Sequence, residues 1–377
     1  MAIQKGPSGA LGTSIEAGEI ATGAVTADKL GTGAVTAGKV ASGVITPTAV
    51  SDQANTSTGY FTLPVGTTAQ RPGSPASGMV RYNTDTNNFE VYQNSEWTVY
   101  TVSYSIDYLI VAGGASGSRT PNTSSAGGGG AGGLLSGSLG HVAGVSLPVV
   151  IGAGGAAYQS PLDGGGNNGS NTTALSLTCI GGGTGGWYNA SEGYQNARSG
   201  GSGGGASWNG SNGTTPGSFT NGQGNAGGNA SPDGVSCGGG GGGSASVGGN
   251  APDNVIGGTG GAGTNWQSLG TFYAGGGGGG SIGSARAPGG TGGGGAGGFG
   301  TVTADITGVA GSVNTGSGGG ASGGAGYSTT GTRPSGAGGS GIVIFRYIGN
   351  QKGTGGTVTS AGGYTYHTFT TSGTFTA

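Results

Sequence analysis

Cys237-Gly238-Gly239-Gly240-Gly241-Gly242-Gly243-Ser244 holds six consecutive glycines, and Gly275-Gly276-Gly277-Gly278-Gly279-Gly280 repeats the pattern. Working outward, similar runs begin at Gly127, Gly181, Gly200, Gly289 and Gly316, and segments of Asn, Ser, Thr, Pro and aromatic residues separate them. Of 102 glycines in 377 residues, 13 precede Tyr108 and 89 follow it, so two different materials are joined in one chain. Glycine loses more backbone entropy on folding than any other residue, and composition alone points to disorder. Irregular spacing excludes collagen. The remaining ordered solution is the extended threefold helix, whose N–H and C=O groups point sideways and can bond neighbouring strands when no side chain intervenes. At about 3.1 Å per residue, a six-glycine run makes two turns and spans about 19 Å. Uninterrupted runs belong in a middle layer; Gly-Gly-x runs belong at a face where x points outward.

Hydrophobic strands bracket this region, Tyr108-Leu109-Ile110-Val111-Ala112 at one end and Ile342-Val343-Ile344-Phe345-Arg346-Tyr347 at the other. The tail after Gly355 alternates Thr with aromatics and reads as a hairpin over 348–377, one that pairing with the strands near 108 and 342 would explain. Upstream, residues 20–50 repeat with period ten: Ile20, Leu30, Val40 and Val50 align, as do Val25, Val35 and Ile45. Two apolar positions in each thin unit need neighbours, either stacked turns or identical chains around an axis, and three chains are expected. Residues 51–107 hold a small module whose runs Met79 to Asn83, Asn88 to Gln93 and Trp97 to Tyr100 predict a three-stranded meander. The expected fold class is mostly β and irregular, with little or no α-helix. Its parts are an N-terminal segment (1–19), a repeat shaft (20–50), the β-meander module (51–107), a domain of packed polyglycine II helices flanked by strands (108–347) and the hairpin.

The chain resembles proteins of tailed phages at several points. Gly23-Ala24-Val25-Thr26-Ala27-Asp28-Lys29-Leu30 and its successor resemble shaft repeats of trimeric tail fibres. The run from Thr67 through Arg71-Pro72-Gly73-Ser74-Pro75 to Tyr82-Asn83, Phe89-Glu90-Val91-Tyr92 and Trp97 is similar to a module of tail structural proteins, particularly of marine phages. The alternation of glycine runs with aromatic segments resembles the distal adhesins of T-even-like phages, and Tyr108-Leu109-Ile110-Val111-Ala112-Gly113-Gly114 resembles the start of glycine-rich tail domains. This implies a virion tail fibre attached by its N-terminus to other tail proteins, a homotrimer, whose loops between glycine helices bind a bacterial surface glycan or outer-membrane protein.

Chemistry is sparse. Between Gly113 and Ser340 the ionisable residues are Arg119, His141, Asp163, Glu192, Arg198, Asp233, Asp253, Arg286, Asp305 and Arg333. Neither an acid-base pair nor a metal-ligand cluster is visible in the sequence, so the expectation is no enzyme, no metal and no cofactor. A glycan-cleaving spike would have to draw on Asp163, Glu192 and Asp233. With 11 basic and 13 acidic residues there is no footprint for nucleic acid, and no apolar run predicts membrane insertion or an export signal. Cys179 and Cys237 could pair, but two cysteines in a chain of this size are no disulfide framework, and the preferred reading is free buried thiols. The candidate receptor-binding residues are Trp187, Tyr188, Asn189, Tyr194, Arg198, Trp208, Asn209, Phe219, Trp266 and Tyr327. Rigid rings beside small polar groups suit surface recognition, although about half of these rings are expected to cap the glycine lattice instead. The competing reading is an architectural fibre without a receptor.

Overall fold

The computed structural model describes residues 25–26, 63–100, 103–120, 124–159, 164–189, 191–208, 213–232, 236–252, 255–300, 305–324 and 333–376. The segment at 1–19 and most of the repeat at 20–50 lie outside these. Two compact units divide between Thr98 and Val99, earlier than the boundary expected at 107.

The first unit is a four-stranded sheet in the order β1 (Val65–Gly66), β2 (Val80–Asn83), β3 (Asn88–Gln93) and β4 (Glu96–Val99). The expected meander is β2 to β4, and β1 adds a parallel pairing beside β2. Asn94 and Ser95, both at positive φ, close the β3–β4 hairpin with the twist that two-residue turns favour. One sheet face covers a charged interior. Glu90, 1 % exposed, takes Arg71 Nη2 at 2.6 Å and Asn83 Nδ2 at 3.0 Å, while Arg81 Nε stands 3.4 Å away. Hydrogen bonding from Arg71 holds the Glu90 carboxyl below its ordinary value.

The second unit is built on a five-stranded sheet. Its edge pair begins with β5 (Ser103–Val111) and β6 (Leu134–Val142). Next in the chain are β7 (Ser146–Val149), β8 (Thr172–Ala174), β9 (Leu177–Cys179), β10 (Trp187–Asn189), β11 (Gly193–Gln195), β12 (Thr264–Asn265), β13 (Phe272–Tyr273), β14 (Phe299–Gly300) and β15 (Asp305–Ile306). The chain closes with β16 (Ile342–Ile348), β17 (Thr357–Ala361), β18 (Tyr364–Phe369) and β19 (Gly373–Thr376). The bracketing strands meet: Ile342 pairs with Val111 and Phe345 with Tyr108, giving the sheet order β17-β18-β16-β5-β6. The tail extends this sheet, and β19 crosses to pair with β7.

Both sheet faces are covered. On one, Ile106, Ile110, Val343, Phe345 and Phe369 pack with Val149, Cys179 and Phe375. On the other, Leu109, Val111, Ile342 and Ile344 pack with Leu134, Trp266 and the methyls of Ala131 and Ala274. Cys179 and Cys237 are buried and not joined in a disulfide; burial pushes the Cys179 thiol up to about 12.

The chain's two histidines share the first core, each ring against Phe375. His367 Nε2 lies 2.9 Å from Tyr347 Oη and its Nδ1 2.8 Å from Gly355 O. Burial pushes both imidazoles below their ordinary value, partly offset by backbone hydrogen bonds. An unfolded histidine titrates near about 6.5, so on acidification the unfolded chain takes up protons first. This contribution to stability is complete above about pH 7, shrinks below about pH 6.5 and is lost as pH falls through the depressed folded values. A melting temperature lower at about pH 5 than at about pH 7.5, with a flatter profile in the His141→Gln/His367→Gln double variant, is the expected result.

Away from the sheet, glycine segments form a lattice. Along 127–133 the N–H groups donate in threes: Gly127, Gly130 and Gly133 to Gly186, Gly183 and Ile180; Gly128 and Ala131 to Gly239 and Gly242; Gly129 and Gly132 to Gly319 and Gly316, all at 2.8–3.1 Å. Its carbonyls accept from other segments: Ser118, Ala115 and Ala112, then Gly205 and Ser202, then Gly277. Six segments therefore surround one threefold strand, which is hexagonal packing of polyglycine II helices. Gly238 to Gly243 repeat the scheme, with donors going in threes to Gly280/Gly277, Ala206/Gly203 and Gly249/Ser246. Both six-glycine runs are buried throughout, as a middle layer requires. In the outer strand at 152–156, Gly152 and Gly155 face inward while Ala153 and Ala156 are exposed.

Asparagine finishes one lattice edge. Asn168 Oδ1 accepts from Thr184 N at 3.0 Å and Asn171 Oδ1 from Gly181 N at 2.9 Å. Three residues apart, these amides satisfy donors that would otherwise need another strand.

Candidate functional site

Hydrogen-bond register gives every glycine segment a direction. Residues 112–118 leave β5 and 127–133 return to β6, and the pairs Ala112/Gly133, Ala115/Gly130 and Ser118/Gly127 put their connection at the end remote from the sheet. Segment 180–186 runs alongside, from Ile180 opposite Gly133 to Gly186 opposite Gly127, so β10 and β11 sit at that far end. Gly205 bonds Gly186, Gly186 and Gly205 thus lie level, and Trp208 follows at the same end.

The β10–β11 hairpin pairs Trp187 with Gln195, Tyr188 with Tyr194 and Asn189 with Gly193. The Tyr188 and Tyr194 rings meet edge to face at 4.9 Å, and Tyr194, 36 % exposed, joins its Oη to Ser124 Oγ at 3.1 Å. Beside it the Trp208 backbone N–H donates to Ser125 O at 3.4 Å, and the buried Trp208 Nε1 has no hydrogen-bond partner among the described residues. Trp187 packs against a glycine segment: a Cβ at Gly165 would stand 2.7 Å from its ring, and the exposed Arg198 guanidinium lies 5.4 Å from the ring centroid. Tyr158 covers Gly164 in the same way, a contact that the sequence signals only through the adjacent pair Gly164-Gly165.

Two expected site residues lie elsewhere. Trp266 is 4 % exposed in the core beneath the sheet, with Arg346 5.3 Å from its ring centroid. Positive φ at Gln267, Ser268 and Gly270 folds the turn back and carries the indole under β16, which removes it from any receptor surface. Phe219 is exposed but sits at the sheet end: Thr214 bonds Ser207, Gly217 bonds Gly204 and Thr220 bonds Gly200, leading to Gln223 O, which accepts from Leu134 N. Asn209 and Tyr327 lie outside the described residues, as do Asp163 and Asp233, while Glu192 is exposed on the far-end hairpin. An open groove of about 390 Å³, lined by Leu134, Leu135, Gln223, Asn225 and Ser244, belongs to the sheet end and not to the rings.

A model of a glycine-rich domain family matches residues 86–348, most of the chain and the whole lattice up to the end of β16. The chain belongs to this glycine-rich domain family. Comparison with curated proteins and with solved structures gave no match. Among the described residues this glycine-rich domain gathers no group of three His, Cys, Asp or Glu side chains able to hold a metal ion. No helix among them is long and apolar enough to cross a membrane.

Proposed function

We propose that this protein is the receptor-binding part of a phage tail fibre, carried on the virion, and that it acts by binding rather than by catalysis. The observation that carries the reading is the sorting of the loops. A hydrogen-bonded lattice presents Tyr188, Asn189, Tyr194 and Trp208 together at the end away from its sheet. Rings held by backbone and small hydroxyls offer contact area with little conformational entropy to lose, which suits a bacterial surface glycan or outer-membrane protein. The N-terminal segment joins other tail proteins, and the period-ten repeat associates three copies.

The packing of the Trp187 ring against Gly165, with Arg198 over it, favours a second reading, an architectural fibre whose rings only seal the lattice. Labelled full-length protein incubated with a panel of bacterial cells separates the two. Adhesion predicts saturable binding to some hosts, weakened at least about tenfold, which is about 1.4 kcal/mol, by Tyr188→Ala or Tyr194→Ala and unchanged by Phe219→Ala at the opposite end. Absence of binding by the folded protein across the panel favours the architectural fibre.

A further inference from the structure

The small sheet of the first unit is built inside out. Cross-strand register puts Val65 beside Tyr82, Tyr82 beside Phe89 and Val80 beside Val91, so these five side chains share one face, with the Tyr82 and Phe89 rings 5.4 Å apart. Val65 is 62 %, Phe89 50 % and Val80 42 % exposed. Arg81, Asn83 and Glu90 point the other way and are buried. A Cβ on Gly66 would lie 2.7 Å from Arg81 Nη2, which confirms the facing. In an ordinary sheet the apolar side is covered and the charged side faces water.

We propose that this apolar face is where identical chains meet. Modules of fewer than about 40 residues rarely hold together on their own core, and this one turns a charged network inward and leaves its apolar residues outside. The preceding period-ten segment points to the same occupant, because its apolar positions cannot be buried within a single thin strand. Val25, one of those positions, is 53 % exposed. Copies held together by the repeat keep the following module at high effective concentration, so a modest apolar patch suffices for a closed assembly. The inference rests on the self-association part of the functional reading and is independent of receptor binding.

Light scattering on the full-length chain, together with cysteine cross-linking, tests it. The native cysteines are buried, so Phe89→Cys introduces an accessible thiol on the face, and Asn88→Cys places one at the exposed neighbouring position. The expected result is an oligomer in which Phe89→Cys forms interchain disulfides under mild oxidation at least about tenfold faster than Asn88→Cys, and in which Val80→Lys/Phe89→Lys lowers the mass or raises the concentration needed for association. An oligomer in which the two cysteine variants cross-link equally would overturn the assignment of this face while leaving self-association through the repeat intact. A monomer at tens of micromolar would overturn both.

Discussion

Gly241→Ala is expected to destabilise the glycine-rich unit by about 3 kcal/mol or more, a large fraction of the stability of an ordinary domain. A Cβ there would stand 2.0 Å from the Gly129 carbonyl oxygen, far inside contact distance. Gly241 cannot yield, because strands bearing Gly277, Gly261 and Gly129 surround it. Moving apart from 127–133 would stretch the bonds from Gly128 to Gly239 and from Ala131 to Gly242, leaving buried backbone groups unpaired at about 1–3 kcal/mol each. Gly140→Ala supplies the contrast in the same unit. Nothing lies within 4 Å of its added methyl, and it sits in strand β6, where alanine is preferred by about 0.5–1 kcal/mol. Denaturant midpoints of the two variants should therefore move in opposite directions.

Phe375→Ala carries the second large effect, a loss of about 3–5 kcal/mol. The ring is fully buried, 5.3 Å from Phe345, 4.8 Å from His367 and 5.7 Å from His141. It is also the main anchor of β19, a short strand paired to β7 and joined by a bridge between Thr354 and Thr376. Truncation should lower the melting temperature and expose the residues after 370 to limited proteolysis. Phe272→Ala, on a partly exposed ring at the sheet end, should cost under about 0.5 kcal/mol.

What could be read beforehand follows from how much information side chains carry. The strands at Tyr108 and Ile342 announce themselves by hydrophobic runs, and they pair. The start of β5 at Ser103 and the partner strand Leu134–Val142 are diluted by serine and glycine, so their alternation does not stand out. Uninterrupted glycine runs identify the middle layer because any Cβ there meets a carbonyl. They cannot say which strands become neighbours, since glycine has no side chain to encode a partner. Asn168 and Asn171 stand three residues apart, yet nothing in a polar, asparagine-rich segment distinguishes them from their neighbours as the amides that finish the lattice edge. Trp208 and Trp266 look alike in sequence. Positive φ in the turn after Trp266 takes one indole under the sheet while the other stays at the far end, and that difference resides in backbone geometry.

The central claim is that the glycine runs form an ordered lattice, and amide hydrogen exchange of the native protein tests it most directly. The lattice predicts that amides at 127–133, 238–243 and 276–280 exchange only through global unfolding, as slowly as those of β5 and β16. Exchange of those glycine amides at the rate of an unstructured chain, while β5 and β16 stay protected, would contradict it.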